Sequence, residues 1–151
     1  AYTEGGARAV SVLTESRYFK GTLSDLKTVC AHTDLPVLRK DFTISAYQIY
    51  EAKCAGASSI LLITTILSPD QLGDYIQLVR ELGMEPLVEI TSEREFETAY
   101  KAGGTVMDIN NRNLMTLETD LNVSKRIAAI VQHEFDAVFE HGLVECETLC
   151  V

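Results

Sequence analysis

The stretch at residues 68–90, SPDQLGDYIQLVRELGMEPLVEI, holds one helix, one turn and one strand in succession. Ser68 is a typical N-cap, the proline after it suits a first helical turn, and Gln71 completes a capping box. Apolar residues then recur every three or four positions, which predicts a helix that ends before Gly83, where a positive φ is needed. The run at 86–90 is too short for a helix and predicts a strand buried on both faces.

The same pattern recurs along the chain. Short aliphatic runs lie at residues 9–13, 36–38, 60–63, 86–90, 106–110 and 136–139. Stretches with helical periodicity fill the gaps between these runs, and strands that alternate with helices predict a parallel sheet of the α/β class. No low-complexity segment or change of composition divides the sequence, so we expect residues 1–151 to form a single, partial barrel domain.

The positions of the polar residues favour a barrel over an open doubly wound sheet. Polar side chains gather at the carboxyl ends of several predicted strands: Lys40, Thr64, Thr65, Glu89, Asn110, Asn111, Arg112 and Glu140. An open sheet concentrates its site at one switch point, whereas a barrel collects residues from many strand ends. We therefore predict a TIM (β/α)8-barrel type of fold, incomplete because about six βα units are present where a whole barrel has eight.

The charge balance limits the partners of the protein. With 13 Lys and Arg against 22 Asp and Glu, the net charge is -9, which argues against binding to nucleic acid or to an anionic membrane. A phosphorylated small molecule remains compatible, because helix N-termini and one lysine can bind phosphate. No apolar run approaches the roughly 20 residues of a membrane span, and no signal peptide opens the sequence.

The four cysteines predict free thiols. The alternative is a metal site formed by His141, Cys146 and Cys150, which lie close together in the sequence. The CxxC spacing of zinc sites is absent, which argues against this alternative. We therefore expect reduced thiols, a cytoplasmic location and no metal.

Lys40 lies at the end of a predicted strand in the segment LPVLRKDF, residues 35–42. Its stem would pack in the sheet while its ammonium group reaches the mouth of the barrel, where it could act as a general acid. A solvated lysine at a strand end is the alternative. Arg39 has the opposite parity, so we expect it to face helices and solvent and to have no role in the site.

Glu89 lies inside the apolar run PLVEI, residues 86–90, rather than after it. Burying a carboxylate there costs free energy unless a partner compensates its charge, which favours a functional role over a structural one. At one barrel mouth, Lys40 and Glu89 would form an acid–base pair.

The segment NNRNL, residues 110–114, joins a strand to a loop. Asn110 shares its parity with Val106 and Asp108, so all three should face the same side of the sheet. The amide of Asn110 could bind a substrate, and Arg112 could hold a carboxylate or phosphate in bidentate geometry. The alternative is a plain Asn-rich turn.

Taken together, several segments resemble the indole-3-glycerol-phosphate synthase family. They are AYTEGGARAVSVLTE, LPVLRKDF, YQIYEAKCAGASSILLI, LGMEPLVEI and INNRNLMTLETDL, in order from about residue 1 to about residue 131. The resemblance implies a (β/α)8 barrel and a carboxy-lyase of tryptophan biosynthesis that uses no cofactor. The substrate would be 1-(2-carboxyphenylamino)-1-deoxyribulose 5-phosphate, whose indole ring closes with loss of carbon dioxide and water.

The resemblance also implies roles for the two catalytic candidates. Lys40 matches the family's general acid, which protonates the substrate carbonyl as the aromatic carbon attacks it. Glu89 matches the glutamate that transfers protons during the later steps.

Five further positions match substrate-binding residues of the family. Asn110 and Arg112 match residues that orient the substrate and its carboxylate. Phe42 and Leu61 match apolar walls around the aromatic ring, and Gly142 matches the glycine of a Glu-Ser-Gly turn.

The sequence also departs from the family pattern. The family's first strand and its final glycine-serine phosphate site have no counterpart in these 151 residues, so we expect weak or absent turnover from this chain alone. His141 stands where a substrate-contacting serine is usual. Asp108 replaces a small glycine and would put a carboxylate in the barrel interior, which requires a partner or a raised pKa.

Two other functions stay open. A non-catalytic barrel remnant would have open sheet edges, which favour self-association. Another phosphosugar barrel, such as phosphoribosylanthranilate isomerase, would work with a cysteine and an aspartate at strand ends, and no cysteine here occupies such a position.

Overall fold

The computed structural model describes residues 5–112 and 118–135 of the chain. Within these ranges, five β-strands alternate with five α-helices. The strands are β1 (Val10–Leu13), β2 (Val37–Lys40), β3 (Ser59–Ile63), β4 (Glu85–Ile90) and β5 (Val106–Ile109). The helices are α1 (Leu23–His32), α2 (Ala46–Cys54), α3 (Pro69–Glu81), α4 (Glu93–Lys101) and α5 (Asn122–Phe135). This alternation confirms the predicted α/β class.

All five strands are parallel, and the sheet has the order β1-β2-β3-β4-β5. A doubly wound sheet would reverse its strand order at a switch point, and the described strands show no reversal. Each strand instead pairs with its successor in the chain, as in the wall of a barrel. The sixth predicted strand, residues 136–139, lies outside the described residues.

The capping signals at residues 68–83 act as the sequence predicts. Ser68 Oγ accepts a hydrogen bond from the backbone N–H of Gln71 at 3.2 Å, and Gln71 Oε1 accepts one from the N–H of Ser68 at 3.2 Å. Gly83 has a φ of +68°, which ends the helix and lets β4 begin two residues later.

The hydrophobic core lies between the sheet and the helices. Right-handed crossovers place successive helices on the same face of a parallel sheet. The strands contribute Val12, Val37, Ile60, Leu62, Val88 and Ile90 to this layer, and the helices contribute Leu26, Ile49, Ala52, Leu72, Ile76, Val79, Phe96, Ala99 and Ile127. Burying a large aliphatic side chain stabilises a fold by about 1.5–3 kcal/mol, so this layer holds the helices against the sheet.

The opposite face of the sheet, here called the inner face, carries the alternate residues of the strands. Leu13 pairs with Lys40 across β1 and β2, and Leu61 pairs with Leu87 across β3 and β4. Leu13 of β1 is 37% exposed and Val106 of β5 is 44% exposed. The described helices therefore leave this face uncovered at both edge strands. Polar side chains can therefore lie on the inner face without disrupting the helix-side core.

Among the residues that the structure describes, no helix is both long enough and apolar enough to cross a membrane.

Two glycines form a matched test of the packing at the end of β1. A Cβ atom at Gly21 would clash with the carbonyl oxygen of Leu13, whereas one at Gly73 in α3 would meet nothing within 4 Å. We expect Gly21→Ala to lower the free energy of unfolding by about 1–3 kcal/mol, the usual cost of overpacking. Gly73→Ala should raise it by up to about 1 kcal/mol, because alanine is the better helix former. Urea denaturation followed by circular dichroism measures both changes, and an unchanged midpoint for Gly21→Ala would contradict the close approach.

Candidate functional site

Four polar residues lie together on the inner face, near the carboxyl ends of the strands. Glu89 of β4 pairs with Asp108 of β5, and paired residues of a parallel ladder point to the same face. Lys40 ends β2 on the same face, and its charge acts on both carboxyl groups. Asn110 follows β5, where its backbone N–H donates to the carbonyl of Ile90 at 2.9 Å. The structure therefore brings Lys40, Glu89 and Asn110 into one cluster, as parity predicts.

Glu89 is the most deeply buried member of this cluster, with 3% of its surface exposed. Burial raises the pKa of its carboxyl group above the ordinary value, and the nearby charges of Asp108 and Glu95 raise it further. The hydrogen bond from Asn110 Nδ2 to Glu89 Oε1, at 3.1 Å, and the charge of Lys40 oppose this rise without reversing it. Glu89 therefore keeps its proton to a higher pH than an exposed glutamate does.

Asp108 has a similar environment. Burial raises the pKa of its carboxyl group, and the positive charge of Lys40 lowers it in part. Of the two possibilities expected for a carboxylate at this position, a partner or a raised pKa, the direction of the shift agrees with the raised pKa.

Asn110 is held by one hydrogen bond to Glu89 and by another within an Asx-turn, so the alternative of an Asn-rich turn is compatible with the structure. Its Nδ2 donates to Glu89, while its Oδ1 accepts a hydrogen bond from the backbone N–H of Arg112 at 2.9 Å. The side chain of Arg112 is exposed, and its backbone forms a β-bridge with Thr119. The structure thus places Arg112 beside the cluster, at the rim of the site.

The predicted apolar walls have different degrees of burial. Leu61 is 3% exposed and lies on the inner face, whereas Phe42 follows β2 and is 38% exposed. The ring of Phe42 contacts that of Phe19, with 6.4 Å between their centroids. Sequence reasoning missed Phe19, because the contact joins two loops and leaves no periodic signal. Gly142, like His141, lies outside the described residues.

Arg39 is buried, with 4% exposure, so the expectation that it contacts solvent is wrong. Its parity correctly predicts that Arg39 faces the helix side, where protein groups instead of water bind its guanidinium group. Its Nε donates to Thr14 Oγ1 at 3.0 Å, and its Nη1 donates to the backbone oxygen of Gln48 at 2.8 Å. Its Nη2 forms ion pairs with Asp41 at 3.2 Å and with Glu51 at 2.8 Å. A buried guanidinium is tolerated because these groups satisfy its donors.

Asp41 fixes the loop that follows β2. Its Oδ2 accepts hydrogen bonds from Thr14 and Arg39, and its Oδ1 accepts one from the backbone N–H of Phe42 at 2.8 Å. Gln48 Nε2 donates to the backbone oxygen of Phe42 at 3.0 Å. Both backbone polar groups of Phe42 are therefore held by neighbours that Arg39 also contacts.

The described residues contain no candidate metal site, and the groove that they form lies away from the inner face. Within residues 5–112 and 118–135, no three His, Cys, Asp or Glu side chains form a group suited to a metal ion. His141, Cys146 and Cys150 lie outside these ranges. An open groove of about 690 Å³ runs along α3 beside the end of α4, and it belongs to the helix layer rather than to the inner face.

Residues 1–150 match the family model of indole-3-glycerol phosphate synthase. The chain belongs to this family. The match agrees with the resemblance that the segments LPVLRKDF and INNRNL indicate.

Two curated relatives are named indole-3-glycerol phosphate synthase. That of Leuconostoc mesenteroides is 47% identical over 142 residues, which cover 94% of this chain and 54% of the relative. That of Desulfosudis oleivorans is 51% identical over 128 residues, which cover 85% of this chain and 49% of the relative. The chain thus spans about half the length of the curated relatives it matches.

A solved structure supports the fold alone. The N-acetylmannosamine-6-phosphate 2-epimerase of Clostridium perfringens matches with a TM-score of 0.58 at 15% identity, over 77% of this chain and 58% of that protein. At this identity the likeness concerns the βα architecture and not the site.

Arg39→Met should destabilise the protein strongly. The substitution would leave Asp41 and Glu51 without their buried cation, which typically costs about 3–5 kcal/mol. The control is Arg126→Met, which removes an arginine whose ion pairs with Asp120 and Glu93 are exposed, and it should change stability little. Urea unfolding of both variants tests this, and equal effects would contradict an anchoring role for Arg39.

Glu89→Gln should change how stability depends on pH. Because burial raises the pKa of Glu89 above its ordinary value of 4.5, the folded state binds this proton more tightly than the unfolded state does. Its contribution to stability is therefore complete below about pH 4.5 and is lost as the pH rises through the raised pKa. Glutamine does not ionise, so the variant should gain stability relative to the wild type as the pH rises.

The matched control for this pH series is Glu85→Gln, at the exposed amino end of β4. Urea unfolding at several pH values should give parallel curves for the wild type and Glu85→Gln. A parallel curve for Glu89→Gln as well would show that Glu89 titrates as an ordinary surface carboxylate.

Proposed function

We propose that this chain carries the proton-transferring part of an indole-3-glycerol phosphate synthase. The proposed reaction closes the indole ring of 1-(2-carboxyphenylamino)-1-deoxyribulose 5-phosphate. The observation that carries the proposal is the common position of Lys40, Glu89 and Asn110 on the inner face, in a member of that family. The ligand is a small phosphorylated molecule, and the free thiols of Cys30 and Cys54 favour a cytoplasmic location.

Lys40 is the proposed general acid. The aromatic carbon that bears the carboxyl group attacks the substrate ketone, and Lys40 donates a proton to the ketone oxygen as the carbon–carbon bond forms. Loss of the carboxyl group as carbon dioxide then restores the aromatic ring. The new hydroxyl group then takes up a proton and leaves as water, while the neighbouring carbon of the new ring loses a proton, so that the double bond of the indole forms.

Glu89 is the proposed group for the proton transfers after ring closure. Its raised pKa supports this role, because the carboxyl group holds its proton to a higher pH than an exposed glutamate does and can release it when the charges around it change. Asn110 holds one oxygen of Glu89 and would thereby fix the direction of transfer.

Four further residues are the proposed substrate contacts. Leu61 lies on the inner face, and the ring of Phe42, which follows β2, contacts that of Phe19. Arg112 at the rim suits the substrate carboxylate, since a guanidinium can bind both carboxylate oxygens. Gly142 is proposed from the family resemblance alone.

Lys40→Met should abolish product formation by this chain. The rate at which the wild type forms indole-3-glycerol phosphate is the reference for this comparison. Removing a general acid typically lowers turnover about 10²–10⁴-fold, whereas Lys101→Met, which removes an exposed lysine of α4, should leave the rate unchanged. The indole fluorescence of the product gives the rate, and equal rates for the two variants would refute the role of Lys40.

A second candidate function is that of a self-associating, non-catalytic barrel fragment. The exposure of Leu13 and Val106 on the inner face favours it, because a second copy could cover both residues. Sedimentation velocity separates the two candidates. A stable dimer without turnover supports the fragment, and an active monomer rules it out.

A further inference from the structure

Asp108 is a carboxylate of the site to which the proposed reaction gives no role. It lies directly across the β4–β5 ladder from Glu89, with its side chain on the inner face. Neighbouring strands lie about 4.8 Å apart, so the two residues, here called the Glu89–Asp108 pair, are direct neighbours on this face, and the charge of Asp108 disfavours ionisation of Glu89. Two carboxylates that repel each other cannot both ionise without a free-energy cost.

The two carboxyl groups of the pair have partly different charged neighbours. From β2, the ammonium group of Lys40 attracts both carboxylates. From α4, Glu95 adds a further negative charge that acts on Glu89. Asn110 donates its hydrogen bond to Glu89. Near the carboxyl ends of the described strands, the inner face therefore carries one ammonium group and the two carboxyl groups of the pair, so charge balance favours one proton on the pair.

We propose that Asp108 is a positioning residue of this site, which shares the ammonium group of Lys40 with Glu89 so that the two carboxyl groups hold one proton between them. Asp108 then determines over which pH range Glu89 is protonated, without having to touch the substrate. The consequence for turnover rests on the proposed function, whereas the titration of Glu89 does not.

The direct test is the titration of the Glu89 side chain in this chain. Carbon-13 NMR of labelled glutamate and aspartate carboxyl groups gives the midpoints, and Glu89→Gln identifies the Glu89 signal. Asp108→Asn keeps the size of the side chain but removes its charge, so the Glu89 midpoint should move to lower pH. Glu85→Gln removes a carboxylate at the other end of β4 and should leave the midpoint unchanged.

A second variant keeps the proposal falsifiable if Asp108→Asn fails to fold. Lys40→Met removes the shared cation, so the midpoints of Glu89 and Asp108 should both move to higher pH. The proposal is overturned if the Glu89 midpoint stays in place in Asp108→Asn, or if only one carboxyl group responds to Lys40→Met.

The pH–rate profile is the second arm of the test. The limb that Glu89→Gln abolishes should move to lower pH in Asp108→Asn, a shift that a purely structural role of Asp108 would not produce. Absence of turnover in the wild type would count against the proposed function, and the NMR titration would still decide the role of Asp108.

Discussion

Each described strand reaches its successor through a helix on the same side of the sheet, and the other features depend on this constraint. The helix side must be apolar or fully paired, because an uncompensated buried polar group costs free energy there. On the inner face near the strand ends, the hydrogen bond from Asn110 and the charge of Lys40 partly compensate the cost of burying Glu89. Lys40, Glu89 and Asp108 can therefore lie close together on that face, while the helix layer provides the stability.

Strand β2 shows how one segment serves both sides. Arg39 and Lys40 are neighbours in sequence but point to opposite faces, so two adjacent charges have separate tasks. Arg39 joins the ends of β1 and β2 to α2 through Thr14 and Glu51. Apolar side chains in place of the whole network would give similar stability, whereas loss of Arg39 alone would leave Asp41 and Glu51 without their cation. What the network adds beyond apolar packing is the geometry of the loop that follows β2. That geometry places Phe42 beside the end of β2.

The sequence predicts the fold and the site wherever the deciding signal is local. The capping box of α3 and the parity of Lys40 and Glu89 depend only on neighbouring residues, and both predictions agree with the structure. The burial of Arg39 depends on Thr14, which lies 25 positions away in the sequence. The ring contact of Phe19 likewise depends on how two loops meet. Such contacts follow from tertiary packing, which no periodicity or spacing reveals.

The order of strand and helix has an electrostatic consequence for the whole molecule. Each helix that follows a strand begins at the carboxyl edge of the sheet, and Thr22, Ser68 and Ser92 cap three of these beginnings. The aligned peptide dipoles place about half a positive charge at each helix N-terminus. A chain with a net charge of -9 therefore has a locally positive backbone field around this edge. Dissolved salt would screen the long-range repulsion of an anion more than this short-range attraction.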